Sequence, residues 1–192
     1  SHAEIWDLET MTKRHDLGGQ KGPISLVGWS PDGTLAFTHS AGNALVVWDA
    51  ASGQKRLEPG IPLSYALQAG FSPDGKMLAA IDSGQQLVLC SVPDGKRISH
   101  NFGNESDNQL LAFSPDGRYL AVYTADKFVK LWNLQTGKPA LELPCGQAYF
   151  DRIYFSNDSR LILGSAPGSN TAWDVRTGKK IGVVKMAACQ GT

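Results

Sequence analysis

The chain has 192 residues, with 18 basic and 18 acidic side chains; 42% of residues are hydrophobic and 19% charged. That length can bury a sizeable core, and the balance excludes a disordered charged tail and argues against a partner held mainly through nucleic-acid phosphates. No apolar run approaches the roughly 20 residues of a membrane-spanning helix, and the three cysteines have no close pair for a disulfide framework or a zinc site. A reducing, cytoplasmic setting without membrane or nucleic-acid partners is the expectation.

The first predicted element is a strand over 3–8 carrying Trp6-Asp7, followed by an outer strand over 13–17. A strand over 24–29 then runs into Trp29-Ser30-Pro31-Asp32-Gly33. The same mark returns as Phe71-Ser72-Pro73-Asp74-Gly75 and Phe113-Ser114-Pro115-Asp116-Gly117, and in a worn form as Phe155-Ser156-Asn157-Asp158-Ser159. The four aromatic positions are each 42 residues apart. A second series keeps the same phase: Trp6-Asp7, Trp48-Asp49, Cys90-Ser91, Trp132-Asn133 and Trp173-Asp174. Two marks holding one period across the chain establish an internal repeat.

One unit shows the grammar of all. A short apolar strand over 110–113 meets a turn at 114–117, where Pro presets φ and Gly accepts a positive φ. Alternating residues over 118–124 form a second strand, and Ala125-Asp126 turns the chain. A third strand over 127–132 is rich in β-favouring bulk, and a more polar outer strand follows over 138–143. Gly53, Gly95, Gly137 and Gly178 stand at one offset in the turn before each outer strand. The expected inner strands are 24–29, 65–71, 109–113 and 149–155. No segment reads as a helix.

A lone four-stranded sheet of this length cannot bury both faces, and radial stacking of such sheets solves that. In its period, its SPDG-type turns and its Trp-Asp endings, the chain resembles the WD-repeat β-propeller family from about residue 3 to about residue 185. The resemblance implies an all-β propeller or propeller segment. It would hold a half blade at 3–18, blades at 19–60, 61–102, 103–144 and 145–186, and a tail at 187–192. The half blade supplies only an outer pair of strands, and the short tail cannot supply an inner pair. Further blades or another chain are therefore expected to complete the ring, a closed four-bladed ring being the alternative.

The family often joins a Gly-His pair, a turn Asp, a Ser or Thr and a Trp in a buried hydrogen-bond relay. No His stands at the Gly-His positions here, and the turn Asp survives only as Asp126, with Thr124 and Trp132 read at the matching places. Packing must carry more of the stability. Trp48, Trp132 and Trp173 are expected as structural residues buried between blades, with Cys90 in the equivalent place. Cys145 and Cys189 are expected as plain exposed thiols. The four histidines, His2, His15, His39 and His100, lie at different repeat positions and are expected to be solvated or partly packed.

No catalytic, metal-binding or cofactor-binding constellation emerges. The Ser and Asp residues of the turns are structural, and neither a metal-ligand spacing nor a phosphate loop is present. The expected function is a non-catalytic scaffold presenting a loop face to a protein or peptide. By resemblance that face includes Tyr65, Asn104, Glu105, Asp107, Gln147 and Tyr149. The turn between second and third strands adds His39, Asn43, Gln85, Asp126 and Lys127. The alternative is a sensor or regulatory propeller segment of a larger signalling NTPase or kinase. A propeller hydrolase ranks below both.

Overall fold

The structure, a computed structural model, describes residues 2–19, 22–40, 45–59, 68–81, 87–98, 108–146 and 148–185. Among these the chain is all-β, with four four-stranded antiparallel sheets and one two-stranded sheet of the β-propeller blade type. They fall into two compact units, 1–100 and 101–192.

In the first unit, β1 (Ala3–Asp7) pairs with β2 (Thr12–Leu17). The first full sheet holds β3 (Ile24–Trp29), β4 (Leu35–Ser40), β5 (Val46–Asp49) and β6 (Lys55–Leu57) in that order. The second holds β7 (Ala69–Phe71), β8 (Met77–Ile81), β9 (Leu87–Ser91) and β10 (Arg97–Ile98). In the second unit, the third sheet runs β11 (Asn108–Phe113), β12 (Tyr119–Thr124), β13 (Phe128–Asn133) and β14 (Lys138–Pro144). The fourth runs β15 (Arg152–Phe155), β16 (Leu161–Ala166), β17 (Ser169–Asp174) and β18 (Lys180–Lys185). The expected inner strand at 149–155 thus begins only at Arg152. Phe150 turns into the core instead, and the Asp151 amide bonds the Ser165 carbonyl at 2.8 Å.

Each first turn is closed by its own side chains. Ser114 Oγ donates to Asp116 Oδ1 at 2.6 Å and accepts from the Tyr119 amide at 2.8 Å, while the Gly117 amide bonds the Ser114 carbonyl at 2.9 Å. Gly117 has φ 70°, a region that costs any other residue. Ser30 with Asp32, Ser72 with Asp74, and Ser156 with Asp158 repeat the device. The hydroxyls of these serines hold Asp32, Asp74 and Asp158 below the usual carboxylate range.

Within each unit, the sheets bury apolar side chains against one another. Leu35, Phe37, Leu45 and Val47 of the first full sheet pack with Phe71, Leu78, Val88 and Cys90 of the second. Trp48 packs with Val46 and, on the half sheet, with Ile5 and Leu17. In the second unit, Tyr123, Leu131 and Leu143 pack with Ile153, Phe155, Ile162 and Trp173. Trp48, Cys90, Trp132 and Trp173 are all buried. The pairing of third to fourth strand slips at Trp48, Trp132 and Trp173. Such a bulge bends the strand and re-aims the side chain.

Neighbours differ from one tryptophan to the next. Trp48 lies opposite Ala36, and its Nε1 donates to Thr38 Oγ1 at 2.8 Å. In the fourth sheet, Gly164 stands where Thr38 stands, and the Phe150 ring fills its place at 2.6 Å from a would-be Cβ. Trp173 Nε1 is left without a hydrogen-bond partner and meets the Phe150 ring edge-on at 5.8 Å. Trp173→Ala should cost about 3–5 kcal/mol by chemical denaturation, the range of large-to-small core changes. Trp6→Ala, at the same repeat position but 51% exposed, should cost less than about 1 kcal/mol.

Candidate functional site

Of the residues expected on the loop face, the structure brings together Asp126, Lys127 and Tyr149. Tyr65, Asn104, Glu105, Asp107 and Gln147 lie outside the described residues, as do Asn43 and Gln85. Asp126 and Lys127 occupy the turn between β12 and β13, where the Lys127 amide bonds the Thr124 carbonyl at 2.9 Å. Asp126 accepts a short hydrogen bond from the Thr124 hydroxyl and pairs with Lys130 Nζ at 3.0 Å. The Lys130 stem is buried while its ammonium reaches this carboxylate. Burial would raise the Asp126 carboxyl, but the Thr124 hydroxyl and the Lys130 ammonium outweigh it and hold the group below its usual range.

Tyr149 sits between β14 and β15 and is 67% exposed. Its neighbours explain why. The Tyr123 hydroxyl donates to the Ala148 carbonyl at 3.0 Å, and the Cys145 amide bonds the Lys127 carbonyl at 2.9 Å. Phe150 is buried against Tyr123 and Trp173, with ring centroids 5.3 and 5.8 Å away. With residues on either side tied down, the Tyr149 side chain is displayed outward. Lys127 Nζ lies 4.5 Å from its ring centroid, in cation–π range. Lys127 itself has φ 67°, the left-handed region that disfavours residues with a Cβ.

Three expectations need correction. His39, expected as a solvated or partly packed residue on the binding face, is wholly buried. Its Nδ1 is 2.7 Å from Ser25 Oγ, because β3 and β4 place Ile24 opposite Ser40 and Leu26 opposite His39 with Ser25 between. Ser25 carries no local signal in the sequence, since its link to His39 exists only through strand register. Cys145, expected as an exposed loop thiol, is buried among Leu143, Tyr123 and Phe150. The Thr124 hydroxyl bonds Asp126 and the Phe128 carbonyl, and by register Val122 rather than Thr124 stands two residues beyond the partner of Trp132.

Burial pushes the thiols up, Cys90 to about 11 and Cys145 to about 12. A thiol reagent should therefore modify both far more slowly in the folded protein than in denaturant. Labelling of either at the unfolded rate would contradict its burial.

Among the described residues, His2, Glu4 and Asp16 bring possible metal ligands within 4.8 Å of one another. Lys13 Nζ stands 3.1 Å from Glu4 and 3.9 Å from Asp16, so an ammonium already pairs with both carboxylates of this corner. Residues 109–133 match a WD40 family model, described as WD domain, G-beta repeat. The match runs through β11, β12 and β13, including Asp126 and Lys127. No curated protein matches the chain. The protein is thus an all-β chain of recurring antiparallel sheets. That recurrence and the match together support a WD-repeat family.

The Asp126–Lys130 pair has a definite pH signature. A carboxyl lowered in the folded state adds stability above its unfolded value, about 4, and loses it as pH falls through the folded value. Asp126→Asn should flatten the stability-against-pH curve on the acid side of about pH 5, read by denaturant titration at several pH values.

Proposed function

We propose that the chain is a non-catalytic interaction scaffold and that the surface around Tyr149 and Lys127 takes a protein or peptide. The WD40 match favours a protein-interaction role in general. The observation that carries the particular surface is Lys127. A non-glycine residue is held in left-handed backbone with its ammonium over a displayed tyrosine. Local strain of this kind persists where the surrounding structure imposes it, and it concentrates at functional sites. An exposed aromatic ring on a backbone fixed by buried neighbours loses little entropy on binding. Tyr and a flanking cation suit the centre of an interface.

The test is selection of peptides against the full chain from a displayed library, followed by calorimetry on the selected peptides. Tyr149→Ala should weaken binding by about tenfold or more with the melting temperature unchanged. Lys127→Gly should also weaken binding, yet hold or raise the melting temperature, because it relieves about 1 kcal/mol of backbone strain. Full binding by both variants would move the site to the opposite face or the rim.

A further inference from the structure

We propose that a groove between the third and fourth sheets, ringed by Arg118, Arg160 and Arg176, binds an acidic peptide segment through its carboxylates. It is independent of the Tyr149 surface, which lies at the other end of the same strands. The β11–β12, β15–β16 and β17–β18 turns form its walls, and its volume of about 630 Å³ is that of an ordinary ligand site. Val175, only 4% exposed, lies against its apolar base.

Formal charge in the groove is balanced, since Asp116, Asp158 and Asp174 stand beside the three arginines. Hydrogen-bonding capacity is not. Each carboxylate is taken up by its own turn. Asp116 Oδ1 accepts from Ser114 Oγ at 2.6 Å and from the Arg118 amide at 3.0 Å. Asp158 Oδ1 repeats this with Ser156 Oγ and the Arg160 amide, and Asp174 Oδ1 accepts from the Thr177 amide and hydroxyl. The guanidiniums are not taken up in the same way. Arg118 Nε stays 3.7 Å from Asp116 and Arg160 Nε 3.9 Å from Asp158, beyond hydrogen-bond reach. Their side chains are 68% and 82% exposed, and Arg176 is exposed as well. The groove therefore offers forked donors and asks for acceptors.

Ser159 sets the spacing of two of these turns. It stands at the repeat position of Gly117, with φ 60°, and its buried Oγ accepts from the Asp116 amide at 3.0 Å. That bond ties the turn before Arg160 to the turn before Arg118. A doubly charged phosphate would meet repulsion from the three aspartates, whereas single carboxylates spaced along a chain can each pair with one guanidinium.

The probe is a short fluorescent peptide with spaced glutamates, titrated against the full chain by anisotropy. It should bind saturably, and more weakly as salt rises. The same peptide with glutamines should not bind. Arg118→Gln, Arg160→Gln and Arg176→Gln should each weaken binding by about fivefold or more, and the triple variant should abolish it, with the melting temperature unchanged. Arg160→Lys, which keeps the charge and loses the fork, should also weaken it. Arg56→Gln, an exposed arginine of the first unit, should leave it unchanged. Equal binding of the glutamine peptide, or full binding by the triple variant, would overturn the proposal. So would tighter binding of a phosphoserine version, or displacement by inorganic phosphate at the peptide's own concentration.

Discussion

The apolar faces that the sheets share within each unit cannot be left in water. The structure follows from meeting that demand with neighbouring sheets. Phe71 reaches back to Phe37, and Trp48 reaches back to Ile5 and Leu17. Phe155 and Trp173 lie in one core with Tyr123 and Leu131. The hydrophobic gain is roughly proportional to the area covered, so the bulkiest side chain of each unit contributes most where a neighbour covers it. The same residue type contributes little where none does, and Trp6 beside Trp173 makes that contrast within one molecule.

Polar chemistry in the repeat serves the geometry of stacking. The Ser and Asp of each first turn satisfy backbone amides that would otherwise face the turn unpaired. This makes the strand ends reproducible from unit to unit. The inner hydrogen bonds are less uniform. Trp48 finds Thr38, whereas Trp173 trades the bond for contact with Phe150 over Gly164. The fourth sheet substitutes aromatic packing for a hydroxyl, and the ring that does so is also the anchor beside Tyr149. Core packing and surface display are coupled there through adjacent residues.

Asp126, Lys127 and Lys130 show how a turn becomes a site. The carboxylate links the Thr124 hydroxyl to the Lys130 ammonium and so fixes the β12–β13 turn. The fixed turn holds Lys127 in a backbone region it would not choose and directs its ammonium to the Tyr149 ring. The functional proposal rests on this chain of local causes, each of which can be altered separately.

The strands and turns were legible in the sequence because they follow from local rules. Alternation marks a strand, SPDG marks a turn, and a 42-residue period marks recurrence. Asp126, Lys127 and Tyr149 could be named as loop residues for the same reason. Their meeting could not, since it depends on Tyr123 and Cys145 tying the β14–β15 loop to the β12–β13 turn. Nor could the burial of His39 and Cys145, polar or soft side chains whose surroundings come from other strands. Phe150 reads locally as part of a strand, yet the space above Gly164 draws it out of the ladder. The sequence by itself determined the repeat and its elements. The tertiary structure alone decided which side chains share an environment, because register and packing join residues that no local pattern connects.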